Sequence, residues 1–202
     1  MKAFVGLMKK EFLISRSIFL TWLVLCTLLI GFQVLMAIRY GNLMDIAPTF
    51  LLLFPFHLLF MPLLFWIMLR VEGTTQLWLF NPNSSFTLVS AKLLTVILLI
   101  LFSLIFNILM GVMIFLFATD NGFLSYFLSI DTAKIIIIIL LSGLYYSFWV
   151  LFLWTVYHSL AHVPVIKNFR GLIIAGILIG FNLFETYLFH HNEFVKNFVN
   201  NS

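Results

Sequence analysis

Charge is scarce in this chain: 9% of its 202 residues are Asp, Glu, Lys or Arg, against 63% hydrophobic residues. A soluble domain is nearer a quarter charged and half apolar, so water alone cannot be its solvent. The eleven basic residues are scattered around apolar runs and form no basic block, which argues against nucleic acid as a partner. Cysteine occurs once, as Cys26 inside an apolar run. That excludes an intramolecular disulfide and a cysteine-based metal site. A catalytic set is also missing. His158 and His162 are four apart, but Ser159-Leu160-Ala161 between them offers no glutamate to act as a zinc-protease base, and they read as solvated histidines of an inner loop. His190-His191 followed by Glu193 is a weak metal-collecting group on a tail. There is no Walker A sequence, so the chain itself does not hydrolyse ATP. The N-terminus lacks the features of a cleavable signal: charge continues to Arg16, and the apolar run after it has no A-x-A-like exit.

What the chain has in abundance is apolar length, with a mean hydropathy of +1.16. A bilayer core of about 30 Å takes roughly 20 helical residues. Five runs reach that length: 18–38, 49–69, 93–118, 135–157 and 171–189. None alternates with period two, which argues against a transmembrane barrel, and helices satisfy their backbone groups internally, as lipid demands. The expectation is an all-α integral membrane protein, one transmembrane domain over 1–202 with about five transmembrane helices. Lys and Arg at the flanks set the orientation. With the N-terminus cytoplasmic, the inner side holds Lys2, Lys9, Lys10, Arg16, Arg70, Lys92, Lys167 and Arg170, and the outer side only Arg39, Lys134 and Lys196. This makes a multi-pass protein of the cell membrane with its tail, 190–202, outside and disordered.

Several residues inside or beside the runs carry further expectations. Pro55 and Pro62 lie seven apart in the second run and bend a packing helix or form a gating hinge. Asp120-Asn121-Gly122 marks an outer turn, the stretch 123–128 is too short to span and rests on the outer interface, and Asp131 and Thr132 are N-cap candidates. Polar residues are costly in lipid, which singles out Gln33, His57, Asn107, Asn182 and Glu185. Asn107, Asn182 and Glu185 are candidates for the lining of a translocation path; the other reading is interhelical hydrogen bonding and, for Glu185, snorkelling to the interface. No internal repeat of the transporter kind is visible.

Two segments outside the runs are patterned. Over 1–17, Lys2, Lys9 and Arg16 repeat every seven residues, and Phe4, Val5, Met8 and Phe12 fall on the far side. Such a helix lies in the headgroup plane, unless it is a simple basic flank. In the inner loop 70–92, Thr74 or Thr75 caps a short helix through Phe80, which Asn81-Pro82 stops. Asn83 or Ser84 then caps a helix running through Lys92 into the third span. Leu77, Trp78 and Phe80 at the tip either meet a partner or dip into the headgroup layer.

The order Glu72-Gly73-Thr74, then Leu77 and Leu79, Pro82, Ser84/Ser85 and Lys92-Leu93 resembles the first cytoplasmic loop of ABC-2 type transporter permeases. Met8-Lys9-Lys10-Glu11-Phe12 resembles that family's amphipathic elbow helix. The resemblance covers about the first 118 residues in order. It implies that Glu72, Gly73, Thr74, Leu77, Trp78, Phe80 and Pro82 belong to a coupling loop docking on cytosolic ABC ATPase subunits. It also implies a second permease subunit, in a homo- or heterodimer, and ATP and Mg held by the ATPase with no cofactor in this chain. Family members usually have six spans, one more than the five counted here; Ala91 stands where Gly is common, and Phe86 where a basic residue is common. The reading is an exporter permease whose substrate class the sequence does not give: apolar or amphipathic cargo suits 25 Phe better than a sugar or an ion does, but Phe facing lipid explains many of them. The other reading is a non-transporting scaffold or regulatory subunit of a membrane complex.

Overall fold

Five α-helices dominate the residues described by the computed structural model, which are 2–40, 47–75, 84–118, 130–161, 163 and 166–191. They are α1 (Lys2–Tyr40), α2 (Ala47–Thr75), α3 (Ser85–Ala118), α4 (Ile130–Leu160) and α5 (Arg170–His191), with a 3-10 turn at Lys167–Phe169. No strand occurs among the described residues. Each apolar run falls inside one helix, and all five helices are long and apolar enough to cross a membrane. The stretch 123–128 and the tail from 192 lie outside the described residues.

The chain forms two units, Met1–Val150 and Leu151–Ser202. In the first, α1, α2 and α3 pack on one another pairwise and bury Cys26, Ile30, Phe65, Met68, Ile100 and Leu104. Other faces of the same helices leave Leu28, Leu35, Leu59 and Ile105 exposed, as expected of helices that are apolar all round. α2 runs unbroken through Pro55 and Pro62, with Phe60, Met61, Leu64 and Phe65 buried on either side of the second proline.

α4 approaches α2 closely at Gly143. A Cβ added there would sit 2.6 Å from Met61 Sδ and 3.2 Å from Met61 Cβ, whereas one added at Gly31 would meet nothing within 4 Å. Overpacking of this kind costs about 1–3 kcal/mol. Gly143→Val is therefore expected to lower the thermal unfolding midpoint in detergent clearly, and Gly31→Val to leave it nearly unchanged.

Helix ends differ from the sequence expectation in three places. α1 is one helix of 39 residues, so the patterned segment and the first span are continuous rather than two elements. Neither Gly nor Pro lies between Leu7 and Leu29 to interrupt it, and the apolar side of its first turns is occupied by protein. Leu7 packs with Leu88 and Ala91 of α3, joined by Phe4 and Met8, while Val5 and Phe12 stay exposed. α2 includes Thr74 and Thr75, so both stand inside a helix and not at an N-cap, and the short helix expected through Phe80 lies outside the described residues. Both hydroxyls donate to the Val71 carbonyl, at 2.9 and 2.7 Å. α4 begins at Ile130, which puts Asp131 and Thr132 in its first turn. Ser84 does cap α3, its Oγ accepting the Thr87 N–H at 3.3 Å.

In the second unit α4 ends in a bend, with Ala161 N–H on the His158 carbonyl and Phe169 N–H on that of Ile166. The Arg170 guanidinium lies 4.5 Å over the Tyr157 ring and donates from Nε to the Lys167 carbonyl. His158 belongs to the last turn of α4, not to a loop, and its ring lies against Trp154 with centroids 4.3 Å apart. His162 and Glu193 lie outside the described residues.

Candidate functional site

Two of the seven acidic residues of the chain meet two lysines in one buried cluster. Glu11 comes from α1, seven residues ahead of the first apolar run; Glu72 from the last turns of α2; Lys92 from α3, one residue before the third run. Helix continuity is what brings them together. Had α1 broken before Ser17, or α2 before Gly73, the carboxylates would not share a level with Lys92. Lys92 Nζ lies 2.6 Å from Glu11 Oε1 and 2.9 Å from Glu72 Oε2. Lys10 Nζ lies 3.1 Å from Glu72 Oε1 and 3.5 Å from Glu11 Oε1. The side chains of Lys92 and Glu11 are 1% exposed, that of Glu72 9% and that of Lys10 31%. Two positive and two negative charges balance, which is the condition for keeping such groups out of water. Lys92 bridges two carboxylates with short charge-assisted bonds. Glu11 Oε2 is buried without a hydrogen-bond partner among the described residues.

The arrangement ties both ends of the 76–83 segment to α1. Glu72 is four residues before that segment and Lys92 nine residues after it, and each is bonded both to the other and to the Lys10-Glu11 pair. A displacement of the segment would therefore be felt by three helices. Of the residues assigned to the coupling loop, Glu72 is in the cluster, Gly73 is half-buried beside it and Thr74 is exposed. Leu77, Trp78, Phe80 and Pro82 lie outside the described residues. The structure adds Lys10, Glu11 and Lys92, which the sequence shows as flanking charges and as members of the two motifs that carry the resemblance, but not as neighbours of Glu72.

A second polar group sits deeper, among α1, α2 and α3. His57, Ser103 and Asn107 are buried. His57 Nδ1 is 2.8 Å from the Leu53 carbonyl, which can only accept, so Nδ1 carries the proton and Nε2 accepts. Ser103 Oγ at 2.8 Å and Asn107 Nδ2 at 3.2 Å donate to it. Ser103 Oγ in turn accepts the Trp22 indole N–H at 3.0 Å, and Asn107 Nδ2 also reaches the Ser103 carbonyl at 2.9 Å. Trp22 stacks on Phe60, centroids 4.2 Å apart. α1 and α2 each commit one side chain, and α3 two, to a directed chain of donors. Asn182 and Glu185 belong to the second unit and are exposed on α5. Among the described residues no group of three or more His, Cys, Asp or Glu could hold a metal ion.

No family model matches the chain, and no solved structure matches it. It is similar to the "Uncharacterized protein YhcE" of Bacillus subtilis (strain 168), 29% identical over 184 residues that cover 89% of this chain and 69% of the relative.

Proposed function

We propose that this chain is a permease subunit of an ATP-driven exporter of the ABC-2 type. It forms the translocation path with a second permease and docks on cytosolic ATPase subunits through the 76–83 segment. The supporting observation is the ion cluster. Glu72 and Lys92, which carry the resemblance in the loop, and Lys10 and Glu11, which carry it at the N-terminus, are joined by four ion pairs in which each lysine meets both carboxylates. A loop that must pass the closure of an ATPase dimer to the spans needs a stiff mounting. Here ATP binding would shift the segment, and the cluster would carry that shift to α1, α2 and α3 together. The cycle needs two states that the ATPase contacts differently. In this reading the N-terminus is cytoplasmic, the first turns of α1 serve as the elbow, and the cluster lies at the inner ends of three spans.

The scaffold reading has one observation of its own: His57, Ser103 and Asn107 bond to one another inside the packed helices. One experiment separates the two. The tagged chain extracted in mild detergent from its native membrane is expected to bring an ABC ATPase with it, and the complex to hydrolyse ATP. Recovery without an ATPase would overturn the exporter reading and leave the scaffold.

A further inference from the structure

Between α1 and α2 runs an open groove of about 470 Å³, lined by Ile18, Trp22 and Leu25 on one side and Phe56, Leu59 and Leu63 on the other. Thr21 also lines it, but its hydroxyl is turned back onto the Ser17 carbonyl at 3.0 Å, so the wall offers almost nothing to a polar ligand. On α2 the groove face continues toward the loop: Phe56, Leu59, Leu63 and Arg70 follow at spacings of three, four and seven residues, which is one helical face. Arg70 is exposed, its guanidinium lies 5.4 Å from the Trp66 ring centroid, and it has no carboxylate partner among the described residues. Lys10, at the same end of α1, has its charge matched by Glu72 and Glu11. Arg16, two residues before Ile18, is exposed as well but falls on the opposite side of α1 from Ile18 and Leu25, so the unmatched cation on the groove face is Arg70.

We propose that this groove holds an acyl chain of an anionic phospholipid whose phosphate is bound by Arg70. The inference rests on the helices spanning a membrane and not on coupling to an ATPase. Depth supports it. At 1.5 Å per residue Arg70 lies about 10 Å beyond Leu63 and about 21 Å beyond Phe56, and half of a bilayer with its headgroup layer is about 20–22 Å. With Arg70 at headgroup level, the groove sits where one leaflet's chains run. Trp66 beside it is suited to the boundary between headgroups and chains. Charge complementarity selects the lipid class. A basic residue at the mouth of an interhelical groove favours a net negative headgroup over a zwitterionic one, whose own cation competes for the phosphate.

Native mass spectrometry of the detergent-solubilised chain tests this, with phosphatidylglycerol and phosphatidylcholine of equal acyl length as probes. The wild type is expected to take up phosphatidylglycerol about fivefold better, the factor that about 1 kcal/mol per basic residue corresponds to. Arg70→Gln is expected to remove that preference. Lys9→Gln, which alters an exposed cation on the opposite face of α1 from Ile18, should keep it. Leu59→Trp, which fills the groove, should lower uptake of both lipids and leave their ratio unchanged. Equal uptake by the wild type, a preference that survives Arg70→Gln, or one lost equally in Lys9→Gln would overturn the assignment to Arg70. Unchanged uptake by Leu59→Trp would overturn the groove. Failure of this test leaves the ATPase experiment untouched, since that one reads recovery of a protein partner and not uptake of lipid.

Discussion

Lys92→Met is expected to destabilise the first unit by about 3–5 kcal/mol, the cost of leaving a buried ion pair with one partner. Lys92 is 1% exposed and bonded to two carboxylates. Without it Glu11 and Glu72 face each other with Lys10 as their only counter-charge. The measurement is thermal or denaturant unfolding in detergent, read beside Leu94→Ala at an exposed position of the same helix, which should cost far less. Adding Glu11→Gln to Lys92→Met restores charge balance, because Lys10 and Glu72 remain as a pair. The double variant should therefore be more stable than Lys92→Met alone, a coupling on the order of 0.5–3 kcal/mol. A Lys92→Met protein no less stable than Leu94→Ala would show that the cluster does not hold the helices together.

If the 76–83 segment docks on an ATPase as proposed, Trp78→Asp is expected to leave insertion and helix content intact while abolishing that assembly. Leu77→Asp should act in the same direction. An unpaired carboxylate at a closed interface costs several kcal/mol, and each 1.4 kcal/mol is tenfold in affinity, so the loss should be on the order of a hundredfold or more. Co-purification of the tagged variant with the ATPase, quantified against wild type, reads it directly. Undiminished assembly in either variant would mean that the 76–83 segment is not the docking element. The two experiments report on different things: Lys92→Met tests the mounting and Trp78→Asp the tip.

The five helices are legible because a run of some 20 apolar residues has few other fates in a chain so poor in charge. Their ends are less legible, because neighbours and local hydrogen bonds decide them. Thr74 and Thr75 suit an N-cap as residue types, but their hydroxyls bond backward to Val71 at the end of α2. The first turns of α1 have the pattern of a lipid-facing helix, yet Leu7 meets Leu88 and Ala91, a contact that no local periodicity announces. The ion cluster was half visible. Glu72 stands in the loop motif, but Lys10 and Lys92 beside apolar runs read the same whether they snorkel to water or are buried against a carboxylate. Glu11 and Lys92 are 81 residues apart, and sequence spacing cannot show that they touch. His57 and Asn107 stand out as polar residues in apolar runs. Ser103 and Trp22, which complete their hydrogen bonds, are too common in such runs to stand out.

The separation of Glu11 from Lys92 also has a consequence for biogenesis. The carboxylate is translated 81 residues ahead of the ammonium that neutralises it, about 4–16 s at ordinary synthesis rates. During that interval α1 is complete, but it cannot take up its final position against the other helices. Glu72 also arrives before Lys92, and from then until Lys92 is made the two carboxylates have Lys10 as their only counter-charge. Completion of α3's first turns is then the event that closes the three-helix unit. A ribosome stalled before Lys92 would leave a nascent chain with α1 and α2 made and its locking charge absent, the form in which a quality-control protease should find it most readily.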